Sequence, residues 1–97
     1  MNGLTDTGGE RLEERRRRLH YRAWRRGTRE MDLVLGRYAD AHIGSFDSAG
    51  LDRFEALCEL SDTDLWDWVS RASEAPAGVD AQLIQDLRRF QESHEDD

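Results

Sequence analysis

Apolar residues recur along this chain at helical spacing, and no segment keeps up the strict alternation of β-branched residues that marks a strand. From Glu10 to Arg26 there is no Gly or Pro, and Arg, Leu and Glu dominate, so the segment reads as a first helix that Gly27 ends. Leu12, Leu19 and Ala23 fall on one line of that helix, with Arg15, Arg18, Arg22 and Arg25 as a neighbouring stripe, while Tyr21 and Trp24 point elsewhere. Thr28 is suited to cap a second helix, whose first turns carry Glu30 and Asp32 where the helix dipole favours carboxylates. Its inner face is Met31, Leu35, Tyr38 and His42.

Gly44 to Asp47 reads as a turn, followed by a third helix from Ser48 to Leu60 with Leu51, Phe54, Leu57 and Cys58 on one face and Gly50 weakening its start. Ser61 and Asp64 form the cap-plus-acid pattern of a fourth helix, with Leu65, Trp68, Val69 and Ala72 as its buried stripe and Trp66 off it. Beyond a linker around Pro76 and Gly78, Asp80 caps a fifth helix with Leu83, Ile84, Leu87 and Phe90 inward. The expected fold is all-α, a small bundle of five short helices spanning residues 15–91. A flexible extension over 1–14 includes the start of helix 1, and an acidic frayed tail covers 92–97.

The composition tempers this picture. Leu, Ile, Val and Phe make up 19 of the 97 residues, near the limit below which charged chains stay unfolded, so the three Trp must add to a thin core. The net charge of -7 conceals a segregation: Arg11 to Arg37 holds ten Arg against four acids, and Tyr38 to Asp97 four Arg against fifteen acids. One basic surface suited to a negative partner is therefore expected near the amino end. All basic residues are Arg and none is Lys, which points to a GC-rich bacterial source. The first ten residues lack the apolar core of a secretory signal and carry acids that a transit peptide avoids, so the expected compartment is the bacterial cytosol.

Little in the chain suggests catalysis. It has no Gly-rich phosphate loop, no Gly-x-Ser-x-Gly elbow, no His-Glu-x-x-His metal pair and no dinucleotide fingerprint. His20, His42 and His94 are scattered, no metal site is expected, and Cys58 on an apolar stripe reads as a small buried hydrophobe rather than a nucleophile.

Two segments are more specific. Arg26-Gly27-x-x-Glu30 is preceded by Arg18-Leu19-His20-Tyr21 and followed by Asp32-Leu33, and Phe54-Glu55-Ala56-Leu57 is followed by Asp62-Thr63-Asp64-Leu65-Trp66-Asp67-Trp68. In order and spacing these resemble the FAD assembly factor family of succinate dehydrogenase, over roughly Arg15 to Phe90. Met31 and Tyr38 stand where Leu and Phe are more usual.

The resemblance implies an accessory factor, not an enzyme, that binds the flavoprotein subunit of succinate dehydrogenase or fumarate reductase and promotes covalent attachment of FAD to it. FAD would be carried by the partner and not held stably by this chain. Arg26, Gly27 and Glu30 would face the flavoprotein, with Arg18, Tyr21, Asp32 and Trp68 on or beside that surface. Plainer readings stand beside these: Gly27 as a helix-ending glycine, Glu30 as a carboxylate near a helix start, Trp68 as core, and Trp66 as the exposed interface residue. The Arg-rich first helix also leaves open a nucleic-acid-binding protein, or an antitoxin-like adaptor for another acidic protein.

Overall fold

The computed structural model describes residues 11–93 and contains five α-helices and a short 3-10 turn, without a strand among the described residues. The helices are α1 (Leu12–Ala23), α2 (Arg29–His42), α3 (Ser48–Cys58), α4 (Asp62–Val69) and α5 (Ala81–Ser93), with the 3-10 turn Ile43–Ser45 between α2 and α3. Local chemistry sets most of the boundaries. Thr28, Asp47 and Ser61 each accept a backbone N–H three residues on, at 3.3, 2.9 and 3.2 Å, and Asp80 accepts that of Leu83 at 3.1 Å. At α1 the cap runs the other way, since Arg has no acceptor: the Glu14 carboxylate accepts the Arg11 N–H at 3.2 Å.

α2 is the hub, touching α1, α4 and α5, while α1 also lies along α3. Leu19, Met31, Leu35, Leu51, Phe54, Leu65 and Leu87 are fully buried at the centre. Tyr38 gathers the aromatic residues at one end, with its ring 6.2 Å from Phe54 and 5.5 Å from Phe90, the latter edge-on. Burial, followed by the Asp86 charge, raises the Tyr38 pKa. Cys58 is buried as expected, and burial pushes its thiol up to about 11, so it stays protonated at neutral pH.

Several expectations change. Ala72, expected on the buried stripe of the fourth helix, lies past the end of α4 at Val69 and is exposed. α1 runs from Leu12 to Ala23 rather than Glu10 to Arg26, Glu10 lying outside the described residues. Leu12 is 42% exposed and takes no part in the core. The carboxyl end of α5 reaches Ser93, with Glu92 paired to Arg71 at 2.6 Å, so of the expected tail only residues 94–97 lie outside the described residues. Arg88 is a buried charge on the inner side of α5; its Nε donates to the Trp68 carbonyl at 2.7 Å.

Just past the last residue of α1, Trp24 packs on α2. Gly36 lies inside α2, and a Cβ built there would fall 2.2 to 2.6 Å from three atoms of the Trp24 ring, so the indole lies directly on the α2 backbone. Its N–H donates to Asp40 Oδ1 at 3.1 Å, and His20 Nε2 reaches the same oxygen at 2.5 Å. These bonds, His20 first, hold the Asp40 carboxyl below the usual range. The helix stops where Trp24 turns onto α2. Gly36→Ala should cost about 1–3 kcal/mol by overpacking. In a Trp24→Ala background the same change should become stabilising by up to about 1 kcal/mol, the ordinary helical advantage of Ala over Gly. Urea unfolding of the four variants checks this, and equal effects in both backgrounds would contradict the contact.

Candidate partner-binding site

The Arg-Gly-x-x-Glu segment is the connection between α1 and α2, and its members have different environments. Arg26 is turned inward, its side chain 9% exposed. Nε donates to Asp62 Oδ1 at 2.8 Å, and Nη1 and Nη2 donate to the Cys58 and Leu60 carbonyls at 2.5 and 2.6 Å. One guanidinium thus satisfies two carbonyls at the end of α3 and a carboxylate in the first turn of α4, a task matched to its planar set of donors. Asp32 reaches back from α2 to accept the Arg26 N–H at 2.6 Å and the Gly27 N–H at 3.3 Å.

Held between these two anchors, the chain reverses at Gly27 with φ of 110°. A Cβ there would meet only Asp62 Oδ2 at 3.9 Å, so glycine is required by the backbone angle and not by crowding. Gly27, Thr28, Arg29 and Glu30 are exposed. Glu30 makes no hydrogen bond or ion pair among the described residues. The segment therefore combines a buried, anchored half with an exposed outer half that ends in the unpaired Glu30 side chain.

The other sequence-named residues distribute around this turn. Tyr21 is 61% exposed, with the Arg25 guanidinium 4.7 Å above its ring, a cation–π pair beside Arg26 and Asp62. Arg18 pairs with Glu55 at 3.1 Å on the side toward α3. Trp68 is only 8% exposed and belongs to the core, so it lies beneath the surface. Trp66 is half-buried and opens into a groove against α2 and α5.

The Arg stripe of α1 has a role that composition conceals. Arg15 contacts Asp52 at 2.7 Å and Glu55 at 2.8 Å, Arg18 contacts Glu55, and Arg22 contacts Glu59 at 3.1 Å. Asp52, Glu55 and Glu59 lie one turn apart along α3, so the segregated charges face each other across the α1–α3 interface. Much of the basic surface expected near the amino end is thus spent within the molecule. Arg15, then burial and Arg18, acts on Glu55, with a net shift of its pKa downward.

Among the described residues no group of three or more His, Cys, Asp or Glu is placed to hold a metal ion, and no helix is long and apolar enough to cross a membrane.

Residues 17–91 match the family described as flavinator of succinate dehydrogenase. Similar proteins include a mitochondrial succinate dehydrogenase assembly factor 2 of Arabidopsis thaliana, 35% identical over 69% of this chain and 36% of its own length. A protein of the same name from Candida glabrata is 31% identical over 89% of this chain and 59% of its own. The FAD assembly factor SdhE of Acetobacter pasteurianus is 38% identical over 60% of this chain and 53% of its own length. The chain thus spans between about a third and three fifths of these relatives. They overturn the expected bacterial cytosol, because several matched proteins are named mitochondrial and come from eukaryotes. An all-Arg composition and acids near the start report on codon usage and local charge, and neither fixes a compartment.

The lowered pKa of Glu55 has a pH consequence. A carboxylate with a depressed folded pKa stabilises the fold fully above its unfolded value, near 4.3, and that contribution is lost as pH falls through the folded value. Thermal unfolding midpoints should therefore drop on acidification below about pH 4, and less steeply in Glu55→Gln. An identical acid slope in the variant would contradict a contribution from the Glu55 ion pairs.

Proposed function

We propose, from the premise that this chain belongs to the flavinator of succinate dehydrogenase family, that it binds the flavoprotein subunit of succinate dehydrogenase or fumarate reductase and promotes covalent attachment of FAD there. Attachment replaces a methyl C–H of the flavin and an N–H of a flavoprotein His by a C–N bond, with the two protons and two electrons taken up by the flavin ring, which is reduced, within the flavoprotein itself. What an accessory factor supplies is geometry: holding one arrangement of the flavoprotein in which His and flavin are aligned removes an entropic part of the barrier, which can amount to several kcal/mol.

The observation that carries this reading is the divided Arg-Gly-x-x-Glu turn. Arg26 and Asp32 are bound inside the molecule, so the exposed Gly27–Glu30 edge is presented in one shape. Gly27 lets a partner's backbone approach closely, and Glu30 keeps a charge with no internal partner among the described residues. Tyr21 with Arg25 lies beside Arg26 and Asp62 and extends this edge, whereas Arg18 is paired with Glu55 on the side toward α3. The pairing of Arg15, Arg18 and Arg22 with α3 favours a protein surface over nucleic acid as the partner, because phosphates would have to compete with those carboxylates.

Co-expression with a succinate dehydrogenase flavoprotein subunit should raise denaturation-resistant flavin fluorescence of that subunit. Gly27→Arg, which strains the turn and places a long side chain on the edge, should remove most of the increase. Flavin attachment that is equal with and without the chain would refute the reading.

A further inference from the structure

The exposed edge continues into a groove that the Arg-Gly-x-x-Glu motif does not include. Glu30, Leu33, Val34 and Arg37 recur at i, i+3, i+4 and i+7 on α2 and form one wall. Trp66 of α4 with Phe90 and Gln91 of α5 form the other, and the groove encloses about 300 Å³. That lies at the lower limit for small-molecule sites, so it suits side chains better than a whole cofactor. Its centre is apolar, and its two ends are charged with opposite sign. Glu30 and Arg37 stand two helical turns apart, about 10 Å along the axis. Neither makes an ion pair or hydrogen bond among the described residues, although most other Arg side chains near the core are engaged.

An apolar floor between an unpaired acid and an unpaired base is complementary to a polypeptide with the reverse order of charges. We infer that this groove is a second contact for the flavoprotein. It receives a segment that places a large apolar side chain against Leu33, Trp66 and Phe90, a basic residue toward Glu30 and an acidic residue toward Arg37. In an extended segment side chains alternate faces, so the basic, apolar and acidic residues that enter the groove stand at i, i+2 and i+4, about 13 Å end to end, and their flexible side chains take up the difference from about 10 Å. The inference rests on the proposed function, and adds that Glu30 belongs to two surfaces at once, the turn and the end of the groove. It also assigns Arg37 and Trp66 a binding role, with Arg37 choosing the direction in which the segment lies.

The test uses the full chain and a purified succinate dehydrogenase flavoprotein subunit. With Leu33→p-benzoylphenylalanine, irradiation should cross-link one flavoprotein peptide that carries an apolar residue between a basic and an acidic one. Arg37→Glu, whose folding is checked by circular dichroism, should weaken binding about tenfold. If the wild-type chain binds the flavoprotein while Arg37→Glu binds equally well, or if the cross-link goes to a second copy of this chain, the groove inference falls and the proposed function stands. Absence of wild-type binding would overturn both. Should Arg37→Glu fail to fold, the cross-link alone decides.

Discussion

The arrangement around the α1–α2 turn depends on one buried guanidinium. Arg26 binds the Cys58 and Leu60 carbonyls and the Asp62 carboxylate together, and so ties the turn that enters α2 to the end of α3 and the start of α4, far from it in sequence. Carbonyls at a helix end need partners, and here a single planar side chain supplies them. Removing it would leave Asp62, with its side chain only 15% exposed, without its cation. The exposed half of the motif inherits its shape from this buried half. Gly27 can hold a φ of 110° as a fixed feature because Asp32 holds the amides of residues 26 and 27 from one side and Arg26 ties the other side down.

A second constraint works alongside it. The acidic body and the Arg-rich first helix form a complementary pair, Arg15, Arg18 and Arg22 against Asp52, Glu55 and Glu59. Exposed pairs of this kind contribute little singly, at most about 1 kcal/mol each, yet they fix the orientation of α1 on α3. With the Trp24 ring seated on Gly36, they aim the carboxyl end of α1, and so the turn, toward one side of the molecule. Much of the charge that composition presents as a docking surface serves folding, whereas Glu30 and Arg37 make no side-chain ion pair among the described residues.

Much of the fold was legible because helix signals are local. Thr28, Ser61 and Asp80 cap the helices they precede, and Leu35, Leu57, Leu65 and Leu87 lie inside, although Ala72 of the fourth stripe does not. What escaped sequence reading is long-range. Nothing in the spacing of Trp24 and Gly36 says that one lies on the other, and the Arg15 to Arg22 stripe shows its partners only once α3 is folded against it. The same holds at the site. The motif marks Arg26, Gly27 and Glu30 together, but only the fold separates an inward anchor from an outward contact, and only the meeting of α2, α4 and α5 creates the groove beside Glu30.

That division of labour is the central claim, and paired measurements on Arg26→Gln and Glu30→Gln test it directly. Thermal unfolding and affinity for the flavoprotein subunit would be measured on both variants. Arg26→Gln should lose about 3 kcal/mol of stability, a fall in midpoint of more than about 10 °C, because it strips the partner from buried acceptors. Glu30→Gln should unfold like the wild type and lose affinity. The account would be contradicted if Arg26→Gln kept wild-type stability, or if Glu30→Gln bound the flavoprotein as tightly as the unaltered chain.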